Sequence, residues 1–315
     1  ANTFINGTWW IGSYGGSYGD KACSMGTGVP QLCQMSPFVG FRHSKDGGKT
    51  WAEPSNPRTG TKLNVTHGLF GERLGAGIKF GAPHVVDCGP ENSLCPFNTG
   101  GGKSLFVVAM GCDSLTASSN CSWISGDAVY LAKIQDFSAK DPDSLNDPSA
   151  WSFWQGLSAK GSSPAATWTS QVSQARPILS WPGRVGTVTS TWHPGFQRYL
   201  LAVTTPTTMP STVGSYDTCK YCWQLFALHS YSMLRLLSHT VVAGVAETAD
   251  LTTGPAGFSL VTYMRRFGQQ AYFVSFPSRF LGSRSGSNSS SSNLRGAVMT
   301  FSANFACITD GCTPN

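Results

Sequence analysis

Chemistry in this chain has to be built from few titratable groups. Among 315 residues there are 6 histidines and 16 carboxylates, and glutamate occurs only at Glu53, Glu72, Glu91 and Glu247. Hydrolysis of a glycosidic bond ordinarily uses two carboxylates flanking that bond. Glu72, Asp87 and Asp127 are the better placed candidates, but no motif pairs them. Histidine and arginine offer more. His84 stands in KFGAPHVVD, directly after Pro83 and at the start of an apolar run, where an imidazole projects from a strand end. A neutral imidazole near pH 7 is ready to take a proton. His67 stands in VTHGLFGERL, ahead of Glu72 and Arg73. Arg176 in QARPIL and Arg184 in WPGRVG flank the start of a strand pair, and the planar guanidinium fork suits a carboxylate through two parallel hydrogen bonds. Tyr216, Asp217, Gln270 and Tyr272 add polar groups at strand ends. Each has a plainer alternative: His84 as a core histidine, His67 as part of a surface turn, the arginines as surface ion pairs. His43 and His193, beside turns, read as structural.

The elements that must position these groups are short strands. Only 12% of residues are charged, while there are 36 glycines and 18 prolines, a balance that favours strands joined by turns over solvent-facing helices. Runs such as TWWIGSYG, PFVGFRHS, SLFVVAMG, AVYLAKI, RVGTVTSTWH, RYLLAVTT and AYFVSFP recur between turn residues. An all-β fold follows, with propeller, sandwich and large barrel as the architectures that produce such spacing. The segment SKDGGKTW decides among them. Ser44, Asp46, Gly48, Thr50 and Trp51 match the S-x-D-x-G-x-T-W pattern of an Asp box: the carboxylate accepts backbone N–H groups, glycines allow positive φ, and the indole packs beneath the turn. Such boxes resemble those of sialidase-like β-propellers, where they are structural, so Ser44–Trp51 is assigned no catalytic part. Residues 1–315 are expected to form one propeller domain. Within it, residues 219–247 have no proline and are leucine-rich, predicting a helix-like insertion, and residues 283–293 form a Ser/Gly-rich flexible loop.

The formal net charge of +6 is carried by basic residues scattered singly or in pairs, so no stripe suited to nucleic acid is present. An acidic polysaccharide suits the charge better. No apolar run reaches the ~18 residues of a membrane span, and a monomer without nucleic-acid or membrane partners is expected. Ten cysteines fall mostly in close pairs, Cys23/Cys33, Cys88/Cys95, Cys112/Cys121, Cys219/Cys222 and Cys307/Cys312, read as short-loop disulfides of an oxidising compartment. Zinc at Cys219 and Cys222 would need a second ligand pair nearby. Sequons at Asn6, Asn64, Asn120 and Asn288 point equally to the secretory route. No cofactor is expected, and no EF-hand spacing marks calcium, although a propeller can hold that ion.

The succession KFGAPHVVDCG, GDAVYLAKI, RVGTVTSTWHPGFQRYLLAVTT, GFSLVTYM, FGQQAYFVSFPSRF and FSANF resembles polysaccharide lyase family 42, secreted propellers that cleave L-rhamnose-α-1,4-D-glucuronate ends of arabinogalactan side chains. The resemblance covers roughly residues 9–218 and 249–305. It implies a seven-bladed propeller and β-elimination. His84 and then His67 would serve as acid/base, Arg184 and then Arg176 would clamp the uronate carboxylate, and Gln270 and Tyr272 would contact substrate. It also implies two departures: residues 219–247 interrupt the family pattern, and the ring is expected to lack a first blade. A sialidase-like or exo-acting glycoside hydrolase, and a propeller that binds carbohydrate without cleaving it, are the alternatives.

Overall fold

A computed structural model of the chain describes residues 2–5, 7–14, 38–64, 67–71, 78–89, 92–95, 104–112, 126–134, 137, 141, 143–158, 165–194, 198–207, 222–230, 259–263, 269–275, 277–278 and 300–305. These residues are all-β: four separate sheets, built from antiparallel neighbours, with no α-helix and no sheet closed on itself. The first sheet has the order β1 (Asn2–Ile5), β2 (Thr8–Tyr14), β3 (Phe38–Ser44). The second runs β4 (Ile78–Val85), β5 (Leu105–Cys112), β6 (Gly126–Ile134), β7 (Trp151–Ser158), β8 (Ala165–Thr169). One edge of β6 is shared, since Ala132–Ile134 pair with β7 while Gly126–Val129 pair with β9 (Leu179–Val185). The third sheet is β10 (Val188–His193), β11 (Arg198–Thr207), β12 (Cys222–Ser230), β13 (Ser259–Tyr263), and the fourth is β14 (Gln269–Ser275) with β15 (Thr300–Phe305).

The sheets stack in chain order. Strands β1, β2 and β3 lie against β4; β10 lies against β4 and β5; β14 lies against β10, β11 and β12. The second sheet is therefore covered on both faces, and all eight residues of β5 are buried. Alternation sends Leu105, Val107 and Ala109 into a core shared with the first sheet. Phe106, Val108, Met110 and Cys112 go into a second core shared with β9, β10 and β11. A strand covered on both faces reads as one apolar run instead of an alternating pattern, which is why SLFVVAMG has no polar face.

Asp87, just beyond β4, ties three of the sheets together. Its N–H donates to the Ser190 carbonyl at 2.9 Å and its carbonyl accepts the Trp192 N–H at 2.8 Å, a parallel bridge between Asp87 and Thr191. Its carboxylate accepts the Gly89 N–H through Oδ1 and the Ser278 N–H through Oδ2, both at 2.8 Å. Ser278 follows β14 of the fourth sheet.

The expected Asp-box turn forms as its residue types require. Thr50 gives Asp46 its N–H at 2.9 Å and its hydroxyl at 2.6 Å, Gly48 N–H donates to the Ser44 hydroxyl at 2.8 Å, and the Trp51 indole donates to the Gly48 carbonyl at 3.0 Å. Gly47 and Gly48 take φ of 73° and 87°, values that cost glycine nothing. Those hydrogen bonds, led by the Thr50 hydroxyl, lower the Asp46 pKa to about 2, so the turn stays charged through mild acid.

The helix-like reading of 219–247 is overturned where the structure describes it. Residues 222–230 are strand β12, nine residues paired with β11 from Tyr199↔Ser230 to Thr207↔Cys222, and paired with β13 on its other side. Leucine spacing suggested a helix, but β11 offers a long row of N–H and C=O groups, and sheet pairing outweighs intrinsic preference. The rest of 219–247, and the loop 283–293, lie outside the described residues.

Between the first two sheets an aromatic cluster is centred on Phe70. Its ring lies 5.5 Å from Phe38, 5.0 Å from Phe80, 5.5 Å from Trp151 and 4.9 Å from Phe153, all edge-on, the arrangement aromatic quadrupoles favour. Phe70→Ala should lower the unfolding free energy by ~3–5 kcal/mol, measured by urea titration, and Phe70→Leu by less. An alanine variant as stable as the parent would mean that this layer collapses onto the gap.

Candidate functional site

Strand β4 is irregular, and His84 sits at the irregularity. Its partners on β5 are Ile78↔Cys112, Gly81↔Met110 and His84↔Val108, so two successive steps of three residues on β4 oppose steps of two on β5. These are two β-bulges, devices that recur beside functional sites because they redirect a side chain. Pro83 gives one cause, since it has no N–H for the ladder. Close approach is the other: a Cβ on Gly111 would overlap the Lys79 backbone, so only glycine admits the first bulge. Ala82, between Gly81 and Pro83, has φ 45°. A non-glycine residue held there stores about 1–3 kcal/mol of strain. Its methyl group is buried in the core between the second and third sheets, and that packing holds the backbone in place.

The bulges decide where His84 points. Residues directly opposite in an antiparallel pair share a face, and Val108, opposite His84, belongs to the core facing the third sheet. His84 therefore projects toward the layer holding Trp192, Tyr199 and Ser190. It retains some surface exposure, yet the surrounding packing desolvates its imidazole and pushes the pKa well below 6.5. At neutral pH it is uncharged, the form that accepts a proton. Burial likewise raises the pKa of the Tyr199 phenol, and the hydroxyl of Ser190, itself buried, has no hydrogen-bond partner among the described residues.

The remaining sequence candidates are spread over other elements. His67 is exposed in a turn after the first sheet, its N–H shared between the Asn64 carbonyl at 3.1 Å and Asn64 Oδ1 at 3.0 Å. Arg176 is exposed, its N–H bonded to the Trp154 carbonyl at 2.8 Å. The neighbouring Ser173 and Ala175 carbonyls both accept from Lys79 Nζ at 2.8 Å. Arg176 thus belongs to the Lys79 end of β4, and Lys79 lies five residues ahead of His84 in the chain. Arg184 lies in β9 where the register slips between Ser180 and Val185, again beside a proline, Pro182. Gln270 and Tyr272 stand two residues apart in β14, paired with Asn304 and Ser302. The side chains of Arg184, Gln270 and Tyr272 lie outside the described part, as do Glu72, Arg73, Glu91, Tyr216, Asp217 and Glu247 entirely.

Of the carboxylates weighed for hydrolysis, Asp87 has both oxygens engaged by backbone N–H groups and serves as a tie between sheets. Asp127 is half-buried in β6. His43 packs with Nδ1 3.6 Å from an Asp143 oxygen, in keeping with its structural reading. Cys88 and Cys95 are bonded as their spacing suggested, and Cys112 is also in a disulfide. Among the described residues, no three His, Cys, Asp or Glu side chains gather as a metal site. Sequence reasoning missed the strain at Ala82 and the tie at Asp87. The proline inside an apolar strand run was the available signal for the former.

Comparison with known protein families and with curated proteins returns no match. The likeness to the lyase family therefore rests on the motifs quoted above.

The depressed His84 pKa predicts a pH dependence. Below the ordinary histidine pKa near 6.5 the unfolded chain takes up a proton that folded His84 refuses, so stability is full above that pH and falls as pH drops toward the depressed folded value. The urea midpoint should fall from pH 7.5 to pH 5.5, and His84→Gln should flatten part of that fall. An identical pH response in both proteins would show that His84 titrates normally.

Proposed function

We propose that this chain is a secreted β-propeller lyase that removes terminal rhamnose from rhamnosyl-glucuronate ends of an acidic plant polysaccharide by β-elimination, with His84 as the acid/base. The observation that carries the chemistry is an uncharged imidazole fixed at a doubly bulged, strained stretch of strand. The propeller reading is supported by sheets stacked face to face in chain order and by the parallel bridge from Asp87 to Thr191, because inner strands of successive blades run side by side in one direction. The outer face of the first sheet keeps Phe4, Trp9 and Ile11 partly exposed. The Cys88–Cys95 disulfide fits an extracellular setting.

In the proposed reaction the C5–H bond of glucuronate breaks, its electron pair forms the C4=C5 double bond, and the C4–O4 bond breaks as O4 takes a proton. Rhamnose leaves with that oxygen, and a 4,5-unsaturated uronate remains; no water is consumed. In D-glucuronate the C5 proton and O4 lie on the same side of the ring, so one imidazole can take the first proton and deliver it to the second site. His84 then suffices, and His67, its partner on the resemblance, need not approach the sugar. Charge developing on the carboxylate falls to an arginine. Arg184 is the better of the two, since Arg176 belongs to the far end of β4.

Incubation with gum arabic should release rhamnose together with an ultraviolet-absorbing unsaturated uronate, and His84→Ala should lower the rate at least ~100-fold while leaving the fold intact by circular dichroism. Rhamnose released without the unsaturated product would make the protein a hydrolase. Tight binding with no product would make it a carbohydrate-binding module.

A further inference from the structure

The sequon Asn64-Val65-Thr66 opens the turn that carries His67, and the geometry of that turn is unusual for a sequence match taken alone. Asn64 and His67 form an isolated antiparallel bridge, each N–H reaching the other's carbonyl at 3.1 Å. Asn64 Oδ1 accepts the His67 N–H as well, at 3.0 Å. Because the oxygen of the carboxamide is held against the backbone, Nδ2 lies on the opposite side of Cγ, away from the His67 N–H. Both Asn64 and His67 are exposed, whereas the residues that follow, Gly68, Leu69 and Phe70, are buried. The Leu69 N–H donates to the Phe38 carbonyl at 2.9 Å, and Phe70 enters the aromatic core. Asn64 and His67 thus stand exposed just ahead of a firmly anchored segment. The other three sequons begin at asparagines outside the described residues.

We propose that Asn64 carries an N-linked glycan and that this glycan covers His67. The inference rests on the secreted reading of the chain and is independent of the lyase reading. Attachment forms a bond from the Asn64 amide nitrogen to C1 of the reducing-end sugar as the C1–O bond to the lipid pyrophosphate of a lipid-linked oligosaccharide breaks; the nitrogen gives up one proton and the lipid pyrophosphate leaves with the bonding electron pair. Since Asn64 and His67 are bridge partners, the first sugars stand directly beside the imidazole. A histidine so placed is screened from a polymeric substrate, which agrees with the reading that His84 works alone.

The test is to send the chain through the endoplasmic reticulum of a yeast host behind a cleavable leader and analyse the tryptic peptide Leu63–Arg73. That peptide should carry a glycan in most molecules of the folded chain, keep it in Thr66→Ser and lose it in Thr66→Ala and Asn64→Gln. Carbethoxylation of His67, read on the same peptide, should run several-fold slower in the glycosylated protein than in Asn64→Gln. Enzymatic trimming of the folded parent to a single sugar gives the same comparison without a substitution. A bare peptide in folded, lumenal chain overturns the glycan. A glycan that leaves His67 reactivity unchanged overturns the covering. Absence of unsaturated product from gum arabic, by contrast, overturns the lyase reading whatever Asn64 carries.

Discussion

The backbone and side chain of one residue, Asp87, hold the register on which the rest depends. Four hydrogen bonds leave or reach it: two join β4 to β10 and two fix the following turn and the end of the fourth sheet. A carboxylate that accepts backbone N–H groups on both oxygens forms charge-assisted bonds, roughly twice as strong as neutral ones. An asparagine could fill only one of the two places in the same way, because its second terminal atom is a donor. The interaction spans 191 residues between Asp87 and Ser278, so it forms only when the second, third and fourth sheets are all in place. It marks where the stacked sheets converge, and His84, in β4, lies three residues before it in the chain.

From that convergence follows the scarcity of usable chemistry elsewhere. A sheet packed on both faces leaves its interior strands no polar side. Each ionisable group placed there must be paired, neutralised or carried to an end. Lys79 leaves its strand to cap the Ser173 and Ala175 carbonyls, and Lys133 lays its ammonium over the Trp168 ring at 4.4 Å with its pKa lowered by burial. At Asp147, burial opposes the charge, but the bonds from Ser149 and Arg58 together outweigh it and lower the pKa. His84 takes the other course and gives up its charge. Pro83, Ala82 and Gly111 together bend β4 just enough to leave that ring partly open.

The all-β class, the Asp-box turn and the Cys88–Cys95 link were legible because each is encoded locally: by strand spacing, by side-chain acceptors at fixed offsets, and by a short loop between cysteines. Strand β12 was not. Its leucines fit a helical period, and what makes it a strand is the nine-residue edge of β11, which no local window contains. Asp87 was misread for the same reason, its partner Ser278 being far away in the chain. Asn146 is a third case. Buried completely, it completes the ladder of β3 by accepting the Phe41 N–H at 2.7 Å and donating to the Phe41 carbonyl at 2.9 Å. It fits only because a Cβ at Gly40 would stand 2.8 Å from its oxygen. Of the candidate site, the irregular strand around His84 was foreshadowed by Pro83, while the placement of the histidines and arginines on different elements was not, since spacing along the chain says nothing about which strand end each one occupies.

That difference bears on which mechanism the scaffold can host. A hydrolase needs two carboxylates several ångströms apart with room for water, and among the described residues Asp87, where the sheets converge, already accepts an amide N–H on each oxygen. A pair of histidines would need His67 and His84 to face one sugar from the exposed turn of one layer and the buried face of another. Elimination from glucuronate requires neither, because the proton removed and the oxygen released share one side of the ring. On the proposed reading a single imidazole, that of His84, uncharged at rest and set at a strained bulge near Asp87, would serve both steps.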